Sequence, residues 1–209
     1  MIKKVPNQQQ AEVSERRTVM KFGIATIVGC MPVTRAIADA LSELSSTPLV
    51  SIEKFSADGV SLGMERRPKI MKSEAEWIKL LSADEYRVAR LGESENAYTG
   101  AYWNSHTAGI FQCICCDSAV FDSRAKYESG TGWPSFWQPI SALNIKKNSD
   151  NAISCSLCDA HLGQVFGDGP GPTGLRYRIN SVALKLLAKS CLCCCVGNGC
   201  ASRVQCRPD

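Results

Sequence analysis

Two short cysteine spacings constrain this chain more than any other feature. Cys113-x-x-Cys116 and Cys155-x-x-Cys158 stand 38 residues apart. Each spacing lets two thiolates turn toward one point, and two such turns make a closed tetrahedral sulfur shell. Zn2+ suits that shell because it has no ligand-field geometry to satisfy and binds thiolate well. With all four positions filled the metal is structural, not catalytic. Cys115 lies inside the first pair, but the register favours its neighbours. The interval between the pairs exceeds that of a compact zinc ribbon, so it must carry structure of its own. The chain has twelve cysteines in all, unevenly placed. Six crowd the last twenty residues and Cys30 stands alone, which fits a metal site plus an unusual tail better than an evenly stapled disulfide scaffold.

The pattern around these pairs is mainly β. From Tyr98 to Leu186, Gly, Pro and Asp punctuate short apolar stretches such as IFQC, AVF, NAISC and QVF, as in an antiparallel domain. Two helices precede it. Ser73-x-x-Glu76 and Ser82-x-x-Glu85 are capping boxes ahead of apolar positions, and Gly92 closes the second helix. Residues 41–71 are weakly patterned and read as a linker.

The N-terminal 1–40 reads as an export signal. Arg16-Arg17-Thr18-Val19-Met20-Lys21 precedes an apolar run from Phe22 to Val33, then Ala38-Asp39-Ala40 offers a small-x-small cleavage site. The paired arginines resemble a twin-arginine signal, a route that carries folded cargo and so permits metal loading before export. A periplasmic or exported location follows, with cleavage after Ala40; lipidation at Cys30 within Ile27-Val28-Gly29-Cys30 is the alternative. The apolar run is shorter than the roughly twenty residues needed for a transmembrane span. Setting residues 1–40 aside leaves eighteen basic against seventeen acidic side chains, a body without an electrostatic footprint for nucleic acid.

Longer motifs carry a resemblance. Ser129-Gly130-Thr131-Gly132-Trp133-Pro134-Ser135-Phe136 lies between the cysteine pairs. His161-Leu162-Gly163-Gln164-Val165-Phe166 and Pro172-Thr173-Gly174-Leu175-Arg176-Tyr177-Arg178-Ile179-Asn180 follow them. Residues 72–187 thereby resemble the methionine-(R)-sulfoxide reductase family. The resemblance implies two antiparallel sheets rolled into an open barrel, with short helices at the N-terminal side. It also implies reduction of the R epimer of protein-bound methionine sulfoxide, with a thioredoxin-like reductant restoring the enzyme. Trp133 looks like the wall that holds the substrate methyl group, with Phe136 of the same segment assigned to substrate binding. His161 looks like a proton donor to the sulfoxide oxygen. Arg176 and Asn180 look like the residues that orient the nucleophile and its substrate.

The chain departs from that family at the reacting position. Where cysteine or selenocysteine is expected stands Arg178, whose guanidinium stays protonated and cannot act as a nucleophile. Gln164 occupies the place of a second family histidine, and an amide does not transfer protons at useful rates. Thr131 fills the usual position of a resolving cysteine. Residues 188–209 leave the family pattern for a cysteine-rich tail that could bind metal, carry redox thiols or be out-of-frame translation. The reading is a reductase whose activity hinges on Arg178. The alternative is a catalytically inactive, zinc-stabilised relative that binds oxidised methionine peptides or serves as a thiol-rich interaction module.

Overall fold

A computed structural model describes residues 47–189. The export signal expected over 1–40 and the tail at 190–209 lie outside the described residues. The described part begins with a hairpin of β1 (Leu49–Phe55) and β2 (Ser61–Pro68), followed by helices α1 (Glu74–Leu80) and α2 (Ala83–Leu91). Nine more strands follow: β3 (Gly109–Cys113), β4 (Ala119–Asp122), β5 (Lys126–Tyr127), β6 (Ser135–Phe136) and β7 (Ile145–Lys147), then β8 (Ala152–Cys155), β9 (His161–Phe166), β10 (Arg176–Ile179) and β11 (Leu184–Ala188).

Both capping boxes form as their sequence requires. Ser73 Oγ accepts from the Glu76 amide and Glu76 Oε2 accepts from the Ser73 amide at 2.8 Å; Ser82 and Glu85 repeat the exchange. Gly92 ends α2 in the left-handed conformation at φ 76°. The helices bury Trp77, Val88 and Ala89. Arg90 of α2 stacks on Trp77 at 4.8 Å and donates to the Cys158 carbonyl at 2.8 Å, which ties the helix pair to the second cysteine turn. Among the described residues no helix is long and apolar enough to cross a membrane.

The strands pair antiparallel throughout. One sheet has the order β5-β6-β10-β9-β8-β7 and a second the order β11-β3-β4. With the β1–β2 hairpin they make three antiparallel sheets, in keeping with the mainly β reading, and their ladders do not join into a closed ring among the described residues. Aromatic rings bridge the two larger ones. Phe136 of β6 stacks on Phe121 of β4 at 4.5 Å and meets Phe111 of β3 edge-on at 5.2 Å. Phe136, expected to take part in substrate binding, is fully buried in this contact and packs in the core.

The linker expected over 41–71 is also corrected. Val50 and Ile52 alternate inward along β1 while β2 is exposed over its whole length. Asn144, fully buried, fastens the hairpin to the domain. Its Nδ2 donates to the carbonyls of Glu53 at 2.8 Å and Ala119 at 2.7 Å, and its Oδ1 accepts from the Glu53 amide at 2.8 Å. Asn144→Ala therefore strands a buried donor and two buried acceptors. It is expected to cost about 2 to 3 kcal/mol, read as a lower denaturation midpoint, with faster amide exchange across β1 and β2 than elsewhere.

Candidate active site and metal centre

The two cysteine pairs share one construction. Cys113 ends β3 and Cys155 ends β8, and in each case the next turn brings round the second thiol, Cys116 or Cys158. The amides of Asp117 and Asp159 close these turns on the carbonyls of Cys113 and Cys155 at 2.9 and 3.0 Å. Both aspartates are left-handed, at φ 57° and 55°, a conformation their short polar side chains tolerate. The four sulfurs converge to within 4.8 Å of one another. Cys113 and Cys158 are 3.7 Å apart, and Cys116 and Cys155 3.5 Å. A tetrahedral shell with metal–sulfur bonds of about 2.3 Å places its sulfurs roughly 3.8 Å apart, so this donor set could hold a metal ion. Cys115 is outside the set of four. Packed together, the thiols pull their acidities apart: hydrogen bonding from Cys113 takes Cys158 down to about 4, while the neighbouring thiols, Cys115 first, push Cys113 well above its ordinary value.

The second cluster lies on the neighbouring strands of the larger sheet. In the β9–β10 ladder Arg178 faces Gln164 and Arg176 faces Phe166, while Tyr177 and Ile179 point to the opposite side. Gly163 permits the approach of these strands, since a Cβ there would collide with the Arg178 carbonyl oxygen. The Ile179 amide donates to the Pro134 carbonyl at 3.0 Å, bringing the turn that carries Trp133 alongside position 178.

The Arg178 guanidinium lies over the Trp133 ring at 4.6 Å, with Phe166 at 5.6 Å, and donates to Gln164 Oε1 at 2.8 Å. The two departures from the family pattern thus meet in one contact. Gln164 accepts from the guanidinium, whereas a protonated histidine there would repel it. His161, at the start of β9, is half-buried. Burial lowers its pKa most, and the Arg178 charge lowers it further against the opposing pull of Asp150. The fold therefore brings Trp133, Gln164 and Arg178 together, and His161 lies within reach of the Arg178 charge.

Two other assigned residues are committed elsewhere. Arg176 forms a two-pronged pair with Asp168, at 2.9 and 2.7 Å, and stacks on Phe166 at 4.6 Å. Asn180 is buried; it donates to the Leu162 carbonyl at 3.1 Å and accepts from the Glu95 amide at 3.1 Å. It acts on position 178 through the backbone it holds. Thr131 is in a hydroxyl chain with Ser129, 2.8 Å away, which continues 2.7 Å to Ser135.

Glu95 is a residue that sequence reasoning passes over. Its carboxylate accepts the Ser181 and Val182 amides at 2.6 and 3.0 Å, and its carbonyl accepts Trp133 Nε1 at 3.2 Å. One residue thereby anchors both the indole wall and the turn after β10. Nothing local marks it, because every partner is distant in sequence.

Comparison with known proteins identifies the family of this chain. The SelR domain model matches residues 81–188. The chain is 51% identical over 124 residues to the chloroplastic peptide methionine sulfoxide reductase B1 of Arabidopsis thaliana, covering 56% of this chain and 61% of that protein. It is 48% identical over 125 residues to the peptide methionine sulfoxide reductase MsrB of Acinetobacter baylyi, covering 56% of this chain and 90% of the relative. For MsrB of Pseudomonas aeruginosa the values are 46% over 128 residues, 58% and 97%. This chain thus spans under two thirds of the plant relative but nearly all of the bacterial ones. With the SelR domain model matching over half of its length, the chain belongs to the methionine sulfoxide reductase B family.

Proposed function

We propose that this chain is built for reduction of the R epimer of protein-bound methionine sulfoxide, a protein-repair reaction, and that as written it lacks the group that carries out the first step. The observation that carries this reading is the placement of Trp133. Its ring lies 4.6 Å from the side chain of residue 178, so an apolar wall for a methyl group adjoins the reacting position. In the reaction a thiolate at that position attacks the sulfoxide sulfur. Oxygen passes to the thiol sulfur, giving a sulfenic acid and methionine, and on this proposal His161 supplies the proton to the oxygen. A dithiol, thioredoxin-like in the cell, then returns the sulfenic acid to thiol with loss of water. Arg178 offers no electron pair to begin this sequence.

The Arg178–Gln164 hydrogen bond favours a second reading, a relative that binds oxidised methionine peptides without turning them over. The metal, on this proposal, is zinc held by Cys113, Cys116, Cys155 and Cys158, where it supplies a structural cross-link and no open coordination position. Residues 1–40 are proposed to direct export to the periplasm, with lipidation at Cys30 as the alternative.

Three outcomes are expected. The parent protein shows no turnover of an R-sulfoxide substrate with dithiothreitol. Arg178→Cys turns over, and adding Gln164→His raises its rate by about tenfold or more; normal activity in the parent would refute the assignment. Metal analysis finds about one zinc per chain. Cys155→Ala loses that metal, with a Tm lower by about 10 °C or more, whereas unchanged zinc in the variant would sink the four-sulfur site. Arg178→Cys also raises the His161 pKa, because removing a nearby cation favours the imidazolium. Proton NMR titration reads this directly, since the chain has two histidines.

A further inference from the structure

We propose that the cluster around Arg178 is a binding site for a small organic oxyanion, a carboxylate or an alkyl sulfinate, seated on the guanidinium beside the Trp133 and Phe166 rings. The proposal concerns the chain with its arginine in place, so it stands apart from the reductase reading and from any activity of Arg178→Cys.

A guanidinium carries five N–H donors in a fixed plane. For Arg178 the hydrogen bond to Gln164 is the one made to a protein group among the described residues. Its orientation is already set by the Trp133 face at 4.6 Å and by Phe166 at 5.6 Å, so little freedom remains to be lost on binding. The charge is half-buried, and among the described residues it forms no ion pair. Asp168 is engaged by Arg176 through two hydrogen bonds, and the Glu95 carboxylate is occupied by the Ser181 and Val182 amides. Asp150, the other acid felt by this cluster through His161, accepts from the Ala152 amide at 3.1 Å. Among the described residues no carboxylate bonds to Arg178, and one oriented cation is left against two aromatic faces. Carboxylate and sulfinate present two oxygens that match the guanidinium fork, and a short apolar group beside them fits the rings. A neutral sulfoxide presents one oxygen and no charge, so this arrangement prefers the anion.

The test is titration of the full-length protein at fixed ionic strength with sodium methanesulfinate, sodium acetate and, as the uncharged comparison, dimethyl sulfoxide. The readout is the Trp133 indole N–H resonance, assigned among four tryptophans by Trp133→Phe. At least one anion is expected to shift it saturably, with affinity about tenfold above that for dimethyl sulfoxide and about tenfold lost in Arg178→Gln. The order of the two anions distinguishes a sulfinate from a carboxylate site. Arg178→Lys, which keeps the charge without the fork, is expected to weaken binding about threefold, and it decides the matter should Arg178→Gln fail to fold. No saturable shift with either anion in the parent, a preference for dimethyl sulfoxide, or unchanged affinity in a folded Arg178 variant overturns the proposal.

Discussion

Convergence of four thiols is the contact on which the remaining geometry depends. Cys113 and Cys116 come from the turn between β3 and β4 of the three-stranded sheet, whereas Cys155 and Cys158 come from the turn between β8 and β9 of the six-stranded one. A metal held by all four would fix the two sheets to each other at one end, as the Phe111, Phe121 and Phe136 rings do in the interior. β9 leaves the second cysteine turn and runs directly into His161 and Gln164. Any slack in the thiol cluster would therefore pass to the strand that carries His161 and Gln164.

Arg178 is accommodated by more than available space. It finds a hydrogen-bond acceptor in Gln164 and an aromatic face in Trp133, the contacts a half-buried cation needs. The two departures from the family pattern behave as a unit: one places a charge in the site, and the other presents it with an acceptor that carries no charge of its own. Around this cation the Trp133 indole is held by the Glu95 carbonyl, Asn180 holds the Leu162 carbonyl, and the His161 imidazole feels the added charge.

What the sequence disclosed followed the range of the interaction. Ser73 and Ser82 as caps are legible because their partners lie three residues away, and the cysteine pairs are legible because each is confined to one turn. The hairpin of β1 and β2 was also within reach. Asp58-Gly59 is a turn signal after the alternating Val50 and Ile52, with Gly59 at φ 78°, but the wholly exposed β2 hides the pattern. Phe136 shares a motif with Trp133, and its burial is not visible in that motif. Strand alternation in the β6 ladder sends its ring to the core, where only the opposing Phe111 and Phe121 explain it. The Arg178–Gln164 bond and the triple use of Glu95 depend on strand register and on contacts across 86 and 87 residues, which single-chain patterns do not encode.

Trp133 and Phe136 lie three positions apart on one short segment, the first facing the site and the second locked between the sheets. A pocket wall welded in this way to the folding core cannot drift while the protein remains folded. The residue that stands at position 178 can therefore differ while the surrounding shape is kept. On the proposed reading chemistry and shape are separable here: residue 178 sets the first, and the core-anchored segment that ends in Phe136 sets the second.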